Sequence, residues 1–287
     1  MPFFAVICSS LCWTTSTQIF SHVGQRLSIF RMNLYKSGFS LILFLIAASL
    51  TGPLKAPLYT IGLLLLSGTL GFALGDLFLF KSFTKMGPAR TLMIQSFEPL
   101  LIALFSFLLL GTQLNGKQYF GLIFLLFCLV CLSLDKKQKR KFGWRIVPVA
   151  IIGIALDGFG VVISKMAFMS HPELTSLQAN VYRIAVSVVV MMILTKLRGR
   201  PLGFADIPKK SLGHLFLGSF FGTFMALGLY LYAISKLHPS VVSGIAGLTP
   251  LYASAYEHAR DRIWPSPAFV LAIGFMGIGL GFLLGIF

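Results

Sequence analysis

Residues 71–111 read GFALGDLFLFKSFTKMGPARTLMIQSFEPLLIALFSFLLLG, which are two apolar spans joined by a short turn at residues 85–88. The second span is interrupted by Glu98 and Pro99, at a depth where hydrocarbon is expected. The same pattern returns in residues 222–256, GTFMALGLYLYAISKLHPSVVSGIAGLTPLYASAY. Four pairs match at one constant offset without a gap: Gly71 with Gly222, Lys85 with Lys236, Pro88 with Pro239, and Pro99 with Pro250. The sequence therefore predicts a duplicated membrane protein.

The composition supports this prediction. The mean hydropathy is +0.87, and charged residues make up 11% of the chain, whereas they make up about a quarter of an ordinary soluble domain. The net charge of +16 is carried by short clusters between apolar spans, such as residues 135–141. Such clusters are typical of loops that face an anionic membrane surface, and the distribution argues against nucleic-acid binding.

We find no sequence motif for a cofactor, a metal or an enzyme. The four cysteines, Cys8, Cys12, Cys128 and Cys131, all fall in apolar segments and lack the spacing of a zinc site. The chain has no Walker motif, no GxSxG and no HExxH. The N-terminus lacks the basic region of a cleaved signal peptide, so the first span is expected to stay in the mature protein.

The predicted fold is an all-α integral membrane protein with ten transmembrane helices. Because each half has five helices, an odd number, the second half must enter the membrane in the opposite orientation. This gives two inverted five-helix repeats, at residues 1–137 and 145–287, whose substrate site is expected near the midplane between them. The helices are predicted at about 3–20, 31–50, 58–83, 89–110, 117–134, 145–168, 175–195, 211–235, 240–259 and 266–286.

The two matched prolines mark the candidate site. A proline inside a helix removes the hydrogen bond to the carbonyl four residues earlier, so Pro99 frees that of Gln95 and Pro250 frees that of Ala246. In lipid, such groups must find a partner or line a cavity. Discontinuous helices at matching positions of two repeats indicate a transport site, although simple kinks are the alternative.

Three carboxylates lie inside predicted spans, where charged groups are rare and commonly functional. Glu98 has the best case because it coincides with the first helix break, and Thr249 occupies the matching position in the second repeat. Asp157 is the second candidate, with an ion pair to Lys165 or Arg183 as the alternative. Asp76 is the third, and Lys81 or Arg90 could simply neutralise it.

Other polar residues have both a structural and a functional interpretation. The first helix carries a polar run at residues 14–18, which either packs against neighbours or lines a wet cavity. Asn33-Leu34-Tyr35-Lys36 and Asn180-Val181-Tyr182-Arg183 repeat each other; the two asparagines are site candidates, whereas the two cations are expected to extend to the membrane interface. Glu257 and His258 are either paired charges at the end of the ninth helix or part of a gate or proton relay.

These motifs resemble those of the EamA-type transporters of the drug/metabolite transporter superfamily. The resemblance rests on the K-[ML]-x-P turn of each half and on the following helix, which reads E-P-L or T-P-L, and it covers the whole chain. It implies ten helices, a central cavity and export of small metabolites or drugs. One departure concerns the Leu-Gly-Glu that the family usually has at the ends of the fourth and ninth helices, because the chain reads Leu110-Gly111-Thr112 and Arg262-Ile263-Trp264 there.

The leading functional prediction is an exporter of amino acids or related small metabolites, acting by alternating access in the inner cell membrane as a monomer or homodimer. Proton-coupled efflux of cationic drugs, with Glu98 as the coupling group, is the second reading, and a lipid translocator is the third. Lys and Arg concentrate in the loops after odd-numbered helices. The positive-inside rule then places both termini outside the cytoplasm, whereas the family resemblance implies termini inside.

Overall fold

The computed structural model consists of helices joined by short loops, with no strand in the residues that it describes, which are 1–23, 27–86, 91, 94–95, 97–133, 144–203, 207–249, 251–252, 255, 267–284 and 286. The first half contains α1 (Pro2–Val23), α2 (Ile29–Ser49), α3 (Leu58–Gly68), a π-helical segment π1 (Thr69–Gly75), α4 (Asp76–Met86), α5 (Glu98–Leu110) and α6 (Gly116–Ser133). The second half contains α7 (Val147–Ser170), α8 (Ser176–Leu197), α9 (Lys209–Gly218), π2 (Ser219–Met225), α10 (Ala226–Lys236), α11 (Pro239–Ala246) and α12 (Pro267–Leu284).

Over the described parts of the chain, eight of these helices agree with the predicted ones to within a few residues. The fourth and ninth are interrupted by turns, so that α5 begins at Glu98 instead of residue 89 and α11 ends at Ala246 instead of residue 259. Six helical stretches there are long and apolar enough to cross a membrane, and the apolar helices in α5, α6 and α12 are shorter. Large apolar side chains are exposed along many helices, as expected for surfaces that face lipid.

The third and eighth predicted helices are not regular, which the sequence analysis did not foresee. Each continuous helix, at residues 58–86 and 209–236, contains a seven-residue π-helical segment at its middle. Because a π-helix shifts the backbone hydrogen bonds by one residue, it leaves carbonyl groups for other partners. The amide nitrogen of Asn33 takes one of them, donating to the carbonyl of Phe72 at 3.0 Å.

The helices of the two halves pack in reciprocal pairs. Helix α1 packs on α9, π2 and α10 of the second half, and α7 packs on α3, π1 and α4 of the first. The other pairs are α2 with α8, α5 with α11, and α6 with α12. Exchange of the two halves leaves this pattern of contacts unchanged, so the packing follows the duplication in the sequence.

Glycines allow the closest of these contacts. A Cβ atom on Gly68 would collide with the backbone of Arg183 in α8, and one on Gly222 would collide with the side chain of Ser16 in α1. A Cβ on Gly160 would lie 2.9 Å from the Ser67 carbonyl oxygen. Small residues are required here because packing of backbones, rather than the hydrophobic effect, drives helix association in lipid.

The last helix carries three glycines at a spacing of four, Gly277, Gly281 and Gly285, a pattern that favours close helix contacts in lipid. In the structure, α12 approaches α6 through Gly279 instead, whose Cβ position lies 3.0 Å from the carbonyl oxygen of Gly121. Gly277 has no neighbour within 4 Å of its Cβ position among the described residues.

Candidate functional site

A cavity of about 180 Å³ lies between the two halves, and residues of both contribute to its wall. Its apolar lining includes Trp13, Phe20, Phe72, Leu79, Phe80, Phe83, Val161, Leu227 and Ala246, and its polar lining includes Ser16, Thr17, Lys36, Asp76, Gln95, Glu98, Asp157, Arg183, Thr223, Tyr230, Ser243 and Thr249. Five of the predicted site residues, Asp76, Gln95, Glu98, Asp157 and Thr249, therefore line one cavity.

Lys36 lies in the wall of this cavity, so the expectation that it extends to the membrane interface is wrong. Its side chain is buried, its Nζ donates to Asp76 Oδ2, and the ammonium lies 5.1 Å from the centre of the Phe80 ring. Lys81 and Arg90 were the alternatives offered for neutralising Asp76; Arg90 lies outside the described residues, and among those described Lys36 forms the ion pair. The helix geometry explains this, because α2 packs directly against α4.

Arg183 is also inside, at 1% exposure, and the same expectation is wrong for it. Its Nε donates to Ser67 Oγ at 2.9 Å, and its guanidinium carbon lies 4.4 Å from the centre of the Phe72 ring. Gly68 allows the backbone of α3 to approach α8 closely at this point. The middle of α8 is therefore enclosed by α3 and π1, and the guanidinium cannot reach the interface.

Asp157 and Glu98 lie near one another in the cavity wall. A Cβ on Gly71 would be 3.0 Å from Asp157 Oδ1 and 3.8 Å from Arg183 Nη2, so both of these opposite charges lie close to Gly71 and near each other. A Cβ on Gly158, the next residue of α7, would be 3.7 Å from Glu98 Cγ. Acids from α5 and α7 thus meet a cation from α8 across the cavity.

Lys165 is not the partner of Asp157, although the sequence offered it as one. Its Nζ donates to the backbone carbonyls of Ile234, Ser235 and Leu237 at 2.9, 3.3 and 3.2 Å. These carbonyls are at the C-terminal end of α10, where a cation also complements the helix dipole. Lys165 therefore stabilises a helix end away from the carboxylates.

Backbone turns occur just before both matched prolines. Phe97 forms a turn, and α5 then begins at Glu98 with Pro99 in its first helical turn, where a proline costs no hydrogen bond. In the second half α11 ends at Ala246, whose carbonyl accepts from Thr249 Oγ1 at 2.9 Å. The predicted free carbonyl thus finds a partner in the side chain of Thr249.

The remaining predicted site residues are placed differently. Asn33 and Asn180 are buried but do not line the cavity. The side-chain amide of Asn33 instead donates to the Phe72 carbonyl in π1. Neither the nitrogen nor the oxygen of the Asn180 side chain has a hydrogen-bond partner within the described residues. Pro250, Glu257 and His258 lie outside the described residues.

The structure adds functional candidates that the sequence analysis assigned elsewhere or missed. Lys36 and Arg183 are the main ones, and the repeated Asn-x-Tyr-Lys/Arg pattern was the signal that could have identified them as a matched pair. The first helix contributes Trp13, Ser16 and Thr17, so its polar run does line the cavity. Its hydroxyl groups are also hydrogen-bonded to backbone carbonyls, as shown by Ser16 Oγ, which donates to Gly218 at 2.9 Å.

Polar contacts also join the first turn of α5 and the loop after this helix to the start of α11. Ser240 Oγ donates to the Pro99 carbonyl at 2.7 Å, and His238 Nε2 lies 3.4 Å from Thr112 Oγ1. His238 Nδ1 accepts from the Ser240 backbone N–H at 3.3 Å, which caps α11. Burial and the nearby charge of Lys165 lower the pKa of His238, so the neutral ring required for this cap is favoured.

Comparisons with known proteins agree with this architecture. A solved structure titled "Crystal structure of protein" matches with a TM-score of 0.80 and 16% sequence identity, over 99% of this chain and 96% of that one. At that identity the match shows the fold alone. No curated protein matches the sequence. The profile of the EamA-like transporter family matches twice, at residues 1–134 and 144–285. The duplicated sequence, the helical fold and this double match show that the chain belongs to the EamA-like transporter family of the drug/metabolite transporter superfamily.

Proposed function

We propose that this multi-pass membrane protein exports small metabolites, such as amino acids or related compounds, by alternating access through the central cavity. In this proposal the protein spans the inner cell membrane with ten helices, as two inverted five-helix repeats at residues 1–137 and 145–287. It works as a monomer or homodimer, and its partners are the lipid bilayer and a small-molecule substrate.

The observation that carries the proposal is the position of the cavity. It lies between the two halves, it is lined by both, and it collects three carboxylates and two cations in a protein with 11% charged residues. Charged groups inside a membrane protein commonly mark a substrate or ion pathway. The backbone turns at Phe97 and at Gly247 lie beside the cavity residues Glu98 and Thr249, as expected for discontinuous helices at a transport site.

The reciprocal packing of the halves supports the inverted repeat. Two units that bury equivalent faces against each other can exchange their conformations by a small rocking motion, which is how inverted repeats give alternating access. The six long apolar stretches, the shorter apolar α5, α6 and α12, and α11 support the proposal of ten helices.

Within this site, we assign the contacts with substrate or coupling ion to the cavity residues. Glu98 and Asp157 supply charge, and Gln95 and Thr249 supply hydrogen-bonding groups beside the two helix breaks. Asn33, Asn180, Glu257 and His258 stay as further candidates, the first two for the positioning of helices and the last two for a gate.

The experiment is untargeted metabolite analysis of the growth medium of cells that over-produce the protein or lack it. We expect a small set of compounds to accumulate outside the over-producing cells and to fall in the deletion strain. Asp157→Asn should reduce this export more than it reduces the amount of folded protein. Glu173→Gln, a change of an exposed acid in the turn before α8, is the matched control and should export normally. Identical media in all strains would overturn the proposal.

One observation favours proton-coupled efflux of cations as a second candidate. The three acids of the cavity outnumber its two cations, and within the described residues no Lys or Arg lies within 4 Å of Glu98. Accumulation of organic cations instead of metabolites in the deletion strain would select this candidate.

A further inference from the structure

We propose that Arg183 binds an acidic group of the transported compound, so that the substrate of the cavity is a small carboxylate. This inference rests on the proposed function, which it extends by naming the chemical group recognised and the residue that recognises it. Sequence reasoning had placed Arg183 at the membrane interface, and no role in the site followed from it.

The guanidinium of Arg183 is held in a fixed position. Nε donates to Ser67 Oγ at 2.9 Å, and the Phe72 ring covers one face of the group at 4.4 Å. Ser67 Oγ is itself fixed, because it donates to the Gly160 carbonyl at 2.6 Å and lies 2.7 Å from Ser164 Oγ. A donor that is already oriented loses little conformational entropy when it binds a ligand.

The terminal nitrogens of this group are left for a ligand. In the described part of the chain, Nη1 is buried without a hydrogen-bond partner, and no carboxylate oxygen lies within 4 Å of the guanidinium. A buried hydrogen-bond donor without an acceptor is costly, and the planar guanidinium fork matches a carboxylate in geometry. A bound acid group would supply the missing acceptors.

The space beside Arg183 can receive that group. Arg183 and Asp157 both line the cavity, and Gly71 lies against Arg183 Nη2 and Asp157 Oδ1, so a side chain at this position would crowd both groups. The other cation of the cavity, Lys36, is already bound to Asp76. Between the two matched cations, Arg183 is therefore the one that is available to a substrate.

Asp157 and Glu98 also line the cavity. They would repel the carboxylate of a substrate unless the substrate also carried a positive group. An ammonium group next to the carboxylate of the substrate would be such a positive group. Glu98 packs against Gly158, the residue after Asp157 in α7, so the two acids lie close enough together to face one ammonium group. The arrangement thus favours a carboxylate with a neighbouring ammonium over a simple dianion.

The test measures the thermal stability of the purified full chain in detergent with four matched compounds: leucine, 4-methylpentanoate, 4-methylpentanamide and isoamylamine. A ligand that binds only the folded state raises the melting temperature. We expect leucine to protect most and 4-methylpentanoate to protect less, and we expect the amide and the amine to protect least. In Arg183→Gln, the concentration of leucine needed for the same protection should rise by about 10- to 100-fold, the usual effect of losing a hydrogen bond to a charged group.

Two variants complete the experiment. Arg183→Lys keeps the charge but lacks the fork, and it should bind leucine about tenfold more weakly while it folds, which covers the case in which Arg183→Gln does not fold. Lys196→Gln, a change of an exposed cation on the same helix, should bind as the unmodified protein does.

The inference is overturned if the amine or the amide protects as well as the carboxylates do, if neither carboxylate protects, or if Arg183→Lys binds leucine normally. The proposed function is judged separately by export from cells. Normal export by a folded Arg183→Gln protein would overturn the role of Arg183 and leave the transporter in place, whereas unchanged media in the deletion strain would overturn the proposed function itself.

Discussion

At the scale of single residues, the two helix breaks are chemically unequal. Glu98 places a carboxyl group in the cavity at the first break, where no described cation contacts it. Thr249 occupies the matching position at the second break, and its hydroxyl already donates to the Ala246 carbonyl. The carboxyl group at the first break can therefore bind a charged substrate or exchange a proton. The hydroxyl group at the second break mainly satisfies a backbone carbonyl.

The first prediction compares these two positions. Glu98→Gln should abolish substrate binding or the pH dependence of transport, because the amide has nearly the same shape but cannot ionise. Thr249→Ala should be milder, since the loss of one hydroxyl hydrogen bond costs roughly 0.5–1.5 kcal/mol. Transport in proteoliposomes across a pH series measures both. Unmodified rates and pH dependence in Glu98→Gln would remove Glu98 from the site.

The second prediction concerns His238 in the turn between α10 and α11. Its pKa is lowered, first by burial and then by Lys165, so the unfolded chain binds a proton at a higher pH than the folded protein does. Linkage then requires that the stabilisation is complete above the unfolded value, about 6.5, and is lost as the pH falls through the lower folded value.

Protonation places a hydrogen on Nδ1, which then cannot accept from the Ser240 N–H, and the loss of such a cap costs about 1 kcal/mol. Melting temperatures measured between pH 7.5 and pH 5 should therefore fall less in His238→Asn than in the unmodified protein. A parallel decline in both proteins would contradict this assignment.

At the scale of helices, the packing depends on glycines whose neighbours are backbone atoms. Gly68 ends α3 just before π1 and lies against the backbone of Arg183, whereas Gly62, two turns earlier in the same helix, has no neighbour within 4 Å of its Cβ position among the described residues. Both glycines lie in the same predicted apolar span, and the tertiary contact distinguishes them.

The third prediction uses this pair. Gly68→Ala should destabilise the fold by about 1–3 kcal/mol, because the added methyl group forces α3 and α8 apart. Gly62→Ala should be neutral or stabilising by up to about 1 kcal/mol, since alanine is the better helix former. Thermal unfolding in detergent measures both changes, and equal effects of the two substitutions would contradict the close packing of α3 on α8.

At the scale of the whole molecule, the orientation in the membrane is the open structural question, and two arguments oppose each other. The positive-inside rule places both termini outside the cytoplasm, because Lys and Arg concentrate after the odd-numbered helices. The family resemblance implies termini inside. The bias in this sequence is large and acts directly on the insertion of the chain, so we give it more weight.

The fourth prediction follows from that bias. Alkaline phosphatase, which folds only outside the cytoplasm, should be active when it is fused after Phe287, and a cytoplasmic reporter at the same position should be silent. Activity of the cytoplasmic reporter alone would show that the resemblance, and not the charge distribution, gives the correct orientation.

The sequence by itself determined the class of protein, the duplication and the approximate ends of the helices. These properties are local: an apolar run must form a helix in lipid because each backbone group needs a partner, and the matched prolines repeat at a constant spacing. For the same reason Glu98, Asp157, Asp76, Gln95 and Thr249 could be singled out, since charged residues and helix-breaking residues inside apolar spans are unusual wherever they occur.

Only the tertiary structure decided which of these groups meet. Lys36 pairs with Asp76, forty residues away, because α2 packs on α4, and Arg183 is enclosed because Gly68 allows α3 to approach its backbone. The first π-helical segment, π1, likewise has a distant partner, because the amide of Asn33 donates to its Phe72 carbonyl. A cation near the end of a predicted span can extend to the interface or turn inward, and the choice depends on the helix that covers it, which the local sequence does not contain.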